Sequence, residues 1–297
     1  MWIRRPAPLP RLITLIGAAA LVGAALTGCT KQPAAEPSTP APSSSASQTA
    51  TPTPTATPSP SPTATTEAAV YYMVDTRTGL RLAPERHDVA GEPVKAAVEL
   101  MIAGPDDPDY TTPWNPATTV LGVTAGNPVV VDLSEDARTA NIGSEGAALM
   151  IQQLVHTVTA AVGDESAAVL LTIAGKPAGE LWGVVEWSAP VTRRPALDVQ
   201  TLVQIDVPRE GATSTSPVTV SGQAAVFEAT LPWKVLDTSG AEVTSGVAQT
   251  AEGQTFAPYS FTIDLQPGTY TIIATEDDPS GGAGGALMSD SKTVTVG

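Results

Sequence analysis

Cys29 is the only cysteine in the 297-residue chain, and its neighbours give it a specific chemistry. It follows Leu26-Thr27-Gly28, a lipobox-type run at which a bacterial secretory leader is cut before the cysteine takes lipid. An acylated thiol is no nucleophile, and one cysteine cannot close an internal disulfide. His87 and His156 are the only imidazoles, and no paired-histidine metal motif contains them. No nucleophile elbow, Walker loop or Rossmann glycine pattern occurs. Gly281-Gly282-Ala283-Gly284-Gly285 follows no strand-to-helix phosphate cradle and reads as a loop.

Two acidic runs, Asp106-Asp107-Pro108-Asp109 and Glu276-Asp277-Asp278, offer the oxygens that Ca²⁺ prefers. Neither fits the EF-hand spacing, and both read as solvated loops. No pair of acids stands out for glycoside hydrolysis. Three aromatics look least like core residues: Tyr110 and Trp114 in a long irregular loop, and Trp187 near a domain boundary. They are the candidate glycan contacts, against the alternative that each is buried in the core. The expectation is a non-enzyme with no catalytic residue, no cofactor and no metal ion.

Residues 1–28 read as a lipoprotein signal peptide. Arg4, Arg5 and Arg11 precede an apolar run, Leu12 to Leu26, too short for a comfortable membrane span. Those three account for part of the 15 basic residues, and none of the 30 acids lies there, so the rest carries −18. A surface that acidic repels nucleic acid and disfavours flat contact with an anionic membrane. Membrane attachment is therefore expected through the lipid on Cys29, at the extracytoplasmic face. Residues 29–67 are the lipidated cysteine and a Pro/Ser/Thr/Ala linker without apolar periodicity. In polyproline form, at about 3.1 Å per residue, such a stalk reaches on the order of 100 Å. Its composition is also that of O-glycosylated stalks.

Residues 68–189 read as an α+β domain, two helices on an antiparallel sheet. Val70 to Val74 and Leu80 to Arg86 make a hairpin around Thr78-Gly79. Pro93 opens a helix whose apolar residues Val94, Ala97, Val98, Met101 and Ile102 follow helical spacing up to Gly104-Pro105. Val120 to Val123 and Val129 to Leu133 form a second hairpin. The longest helix runs from an expected Ser144 N-cap to Gly163. Its buried stripe is Ala147, Met150, Ile151, Leu154, Val158 and Ala161, which puts Gln152, His156 and Thr159 on the solvated side. Ala168 to Ile173 follows as a strand.

Beyond Pro195 the helical period stops. Residues 199–297 carry seven short β-rich runs and read as an all-β immunoglobulin-like sandwich. Trp233 is the expected core anchor. Leu265-Gln266-Pro267-Gly268-Thr269-Tyr270 has the form of a corner where a tyrosine hydroxyl bonds back to nearby backbone.

Tyr71-Tyr72, the helix ending Ala103-Gly104-Pro105, the strand Val129-Val130-Val131-Asp132-Leu133 and the helix from Gly143-Ser144 together resemble a GerMN domain. Ser221-Gly222, Phe227-Glu228, Trp233, Gly246 and the Phe261 strand resemble the immunoglobulin-like domain of bacterial spore germination. This chain carries one GerMN copy, where the germination protein that names the family carries two. The resemblance implies scaffold or protein-interaction work in the cell envelope, with no catalytic residues to carry over. Partners would be other envelope proteins or, as the alternative, peptidoglycan or another cell-wall glycan.

Overall fold

The computed structural model describes residues 65–280, 283 and 285–297. The leader, Cys29, the linker through Ala64 and three of the loop glycines lie outside the described residues. All described residues belong to one compact unit. Among them no helix is long and apolar enough to cross a membrane.

The first domain opens on a long antiparallel hairpin, β1 (Thr65–Thr76) and β2 (Gly79–Ala90), closed by Arg77-Thr78. Ala68 to Met73 are buried consecutively, so along that stretch of β1 both faces are covered. Helix α1 (Pro93–Ala103) starts on its N1 proline and ends where Gly104 takes a positive φ. β3 (Val120–Thr124) and β4 (Val129–Leu133) pair antiparallel. Helix α2 (Ser144–Val162) then returns the chain so that β5 (Val169–Ile173) lies parallel to β4. Gly143, not Ser144, occupies the N-cap position of α2, with no side-chain cap, and left-handed Gly163 ends the helix. β6 (Lys176–Pro177) completes that sheet, and β7 (Gly179–Leu181) pairs with β8 (Val185–Trp187).

A connector containing the single-turn helix α3 (Ala196–Val199) leads to the second domain. One sheet there is β9 (Val203–Val207), β11 (Val218–Ala224) and β14 (Ala257–Ile263). The other has the order β10 (Ala212–Ser214), β16 (Ser289–Val296), β15 (Gly268–Thr275), β12 (Thr230–Asp237), β13 (Glu242–Gln249). The fold class is therefore an α+β domain followed by an all-β sandwich. Gly222 sits at a register shift between β11 and β9, where a Cβ would collide with the Gln204 carbonyl oxygen.

Between β11 and β12, Phe227–Ala229 forms a 3₁₀ turn with Phe227 exposed. β13 is an edge strand with little to bury. Trp233 shares the inward face of β12 with Leu231 and Val235 but is only half-buried, stacked on Phe261 at 5.0 Å. The tyrosine corner is present: the Tyr270 hydroxyl donates to the Gln266 carbonyl at 3.0 Å. This bond is exposed, so Tyr270→Phe is expected to cost about 0.5–1 kcal/mol, read from the urea midpoint.

The two domains keep separate apolar cores, one around Tyr72, Leu82, Met101, Met150 and Leu154, the other around Val220, Leu231, Val235 and Ile272. What lies between them is polar.

Candidate functional site

The joint between the domains is built from residues that the sequence marks as loop and edge. Along β16, Asp290, Lys292, Val294 and Val296 face the same way, and all four are buried. The two valines enter the sandwich core. Asp290 and Lys292 meet instead the loop that follows α1. Lys292 Nζ donates to Asp107 at 2.6 Å, to Asp290 at 2.7 Å and to the Tyr110 hydroxyl at 3.0 Å. The Tyr110 hydroxyl donates to Asp290 at 2.6 Å, and the other Asp290 oxygen accepts the Ile205 N–H. The remaining Asp107 oxygen accepts the Asp109 N–H at 2.9 Å. Every ammonium proton has a partner, the condition under which a buried charge cluster is tolerated.

Burial alone would lower the Lys292 pKa, but the Asp290 and Asp107 carboxylates outweigh it and hold the ammonium above its usual range. Lys292 also lies over the Tyr110 ring, 4.7 Å from its centroid.

Ion pairs flank this cluster along the whole β1–β2 hairpin. At its tip Arg77 pairs with Glu276. Mid-hairpin, Arg86 grips Asp206 through two bonds of 2.8 and 3.2 Å. At its base Arg209 reaches Asp88 at 2.8 Å and Glu67 at 2.9 Å. The Thr201 N–H donates to the Leu82 carbonyl, so the connector is tied to β2 as well.

On the other side of the hairpin a cleft of about 660 Å³ opens between the domains. Tyr71 and Arg86 come from the hairpin, His156 and Thr159 from α2, Arg193 and Arg194 from the connector, Gln204 and Gln223 from the sandwich. The connector covers the side of α2 opposite its apolar stripe. Arg193 donates to the Thr159 hydroxyl at 2.6 Å and to the His156 carbonyl at 3.0 Å, and the Arg194 N–H donates to Gln152 at 2.7 Å. His156 Nδ1 faces the Gln200 amide nitrogen at 3.3 Å, while its Nε2 is buried and has no partner among the described residues. Desolvation, helped by the Arg193 charge, drops the His156 pKa to about 3.

Glu85, His87 and Asp106 place possible ligand atoms within 4.8 Å of one another. Their contacts are already self-consistent. His87 Nε2 lies 3.1 Å from Glu85, and Glu85 accepts the Asp107 and Asp106 N–H groups at 2.8 and 3.1 Å. Burial pushes the Glu85 carboxyl up, but the bonds from His87 and those two N–H groups together hold it below its usual value.

Comparison with known families fits both halves of this joint. Residues 69–179 match the family model described as sporulation and spore germination. Residues 202–283 match the immunoglobulin-like domain of bacterial spore germination. The chain is a GerMN domain followed by a germination-type immunoglobulin-like domain. Among solved structures, the tandem GerMN domains of the sporulation protein GerM from Bacillus subtilis are similar over 47% of this chain, at 18% identity and a TM-score of 0.35. The chain spans 48% of that structure. The first GerMN domain of the same protein is similar over 44% of this chain and 98% of its own length, at 19% identity and a TM-score of 0.34. No curated protein matches the chain.

The aromatic glycan candidates need correcting. Tyr110, Trp114 and Trp187 are 5, 2 and 1% exposed and offer no ring face to a sugar. Tyr110 belongs to the joint. Trp114 donates to Gln153 at 3.1 Å and packs edge-on against Trp182, and Trp187 lies in the GerMN core. The helix reading of His156 also changes: Gln152, His156 and Thr159 are buried under the connector, not solvated. Neither acidic run is simply a solvated loop. Asp107 and Asp109 bond to Lys292 and Ser291, and Glu276 is held by Arg77 and by the Met288 N–H. The signal that could have found Lys292 was present, since strand alternation puts Asp290 and Lys292 on the face of Val294 and Val296.

Proposed function

We propose that this chain is a lipid-anchored extracytoplasmic envelope protein that assembles other proteins and performs no catalysis. The observation that carries the reading is the joint. Lys292, Asp107, Asp290 and Tyr110 fasten the GerMN and immunoglobulin-like domains into one body, so two recognition surfaces are held at a fixed spacing. The family relation to sporulation and germination proteins supports assembly work. Lys292 and the buried acids Asp107, Asp290 and Glu276 are engaged in hydrogen bonds and ion pairs within that body. Anchoring rests on the leader and on Leu26-Thr27-Gly28-Cys29, and the proline-rich stalk would carry the body away from the membrane.

Partner-facing surface exists at two sheet edges. Leu121 on β3 is 54% exposed, and Val247 on β13 is 63% exposed. Both strands are edges with one unpaired side, the geometry to which an added strand pairs. A photo-crosslinker placed at Leu121 or Val247 in intact cells is expected to capture a defined envelope protein, and mass analysis of membrane-extracted protein is expected to give an acylated N-terminus at Cys29. Precursor found inside cells with Met1 and a free thiol would refute the anchoring. Release of wall fragments by the soluble chain would refute the absence of catalysis.

A further inference from the structure

The cleft between the domains has more hydrogen-bond donors than the protein itself satisfies. Arg86, Arg193 and Arg194 line it with Glu67 and Glu165, in a chain whose formal charge is −15, and Arg86 is itself held by Asp206. Both acids are already engaged, Glu67 by Arg209 and Glu165 by Arg193. Arg194 makes no ion pair among the described residues. The Tyr71 side chain is 7% exposed, and its hydroxyl makes no hydrogen bond among the described residues. The charges nearest that hydroxyl include Arg193, Arg86 and Glu165, all of which line the cleft. Beneath lies His156. Gln200 accepts from Gln204 through its oxygen, so its nitrogen donates to Nδ1 and Nε2 carries the proton, with no acceptor among the described residues. A buried N–H without an acceptor costs stability, and a ligand acceptor near it would recover that.

The remaining lining matches amide chemistry. Gln223 and the Gln204 side-chain oxygen offer amide groups from the sandwich that can pair with peptide groups, while the Gln204 nitrogen is already bonded to Gln200 and Thr201 and the Gln200 nitrogen faces His156. A volume of about 660 Å³ lies in the range of small-molecule sites. We propose that this cleft binds a short peptide through its free carboxylate, with Arg194 and the Tyr71 hydroxyl as the anion contacts. The ligand sits on residues from both domains, so binding and the closed joint are linked. This site is additional to the assembly role and does not depend on the lipid anchor.

The test titrates the mature chain with the tripeptide Ala-Ala-Ala, its C-terminal amide and glucuronic acid, following affinity by calorimetry and the His156 imidazole by NMR. The free acid is expected to bind about tenfold or more tightly than the amide, since a charge-assisted contact is removed. Arg194→Gln should weaken the free acid by about tenfold, and Tyr71→Phe by about threefold, one charged and one neutral hydrogen bond respectively. The His156 signals should move on binding. Neither variant removes a structural ion pair, and an unchanged melting temperature verifies that each still folds. Equal affinity for acid and amide, no binding by either, or insensitivity to Arg194→Gln would overturn the proposal. Glucuronic acid binding as tightly as the tripeptide would overturn the assignment to a peptide.

Discussion

Lys292→Met is expected to destabilise the protein by about 3–5 kcal/mol, the effect of removing one partner from a buried ion cluster. The methionine fills most of the volume, so little of the loss is packing. What remains is two buried carboxylates, Asp107 and Asp290, which have lost their shared cation. Neutralising both in the same background, with Asp107→Asn and Asp290→Asn, should restore more than half of the stability. Arg86→Met is the contrasting control. That pair is partly exposed, and pairs in water contribute roughly 0–1 kcal/mol. Urea unfolding at neutral pH measures all three. If Lys292→Met and Arg86→Met cost the same small amount, the cluster is not what fastens the domains.

Mild acid is expected to weaken the fold through His156. In the folded chain burial holds this imidazole neutral down to about pH 3, whereas in the unfolded chain it protonates near its ordinary value of about 6.5. The folded pKa is the lower one, so the stabilisation is complete above about pH 6.5 and is lost as pH falls toward 3. The slope is about 1.4 kcal/mol per pH unit, or about 2 kcal/mol between pH 7 and pH 5. Glu85, whose folded pKa is depressed, keeps its contribution until pH falls below about 4.3. Lys292, whose folded pKa is raised, loses its contribution only as pH rises above about 10.4. Neither enters the window from 7 to 5. His156→Gln, which cannot titrate, should lose far less over that window. Parallel wild-type and variant curves would contradict the assignment.

Within each domain, the sequence is legible where local periodicity decides structure. The proline at the start of α1, the glycine after α2, the alternation of Phe261, Ile263 and Leu265, and the turn before Tyr270 each carry their own physical signal. The joint was hidden because it is made by segments far apart in the chain. Helical spacing identifies the apolar stripe of α2 but cannot know that Arg193 and Arg194, some 40 residues on, cover the opposite side. Gln152, His156 and Thr159 look solvated by composition and are buried by tertiary contact. The acidic loop misleads for a related reason. Asp107 has the composition of a surface turn, and only the facing strand, 185 residues away, supplies the cation that lets it be buried. Alternation along β16 does place Lys292 inward. It does not say what Lys292 meets, so the residues were readable while the contact was not.

A joint held by buried charge makes the two domains one thermodynamic unit. Differential scanning calorimetry of the full chain tests this most directly. One transition is predicted, with the calorimetric and van't Hoff enthalpies equal. Two resolved transitions, one for the GerMN domain and one for the immunoglobulin-like domain, would contradict the account.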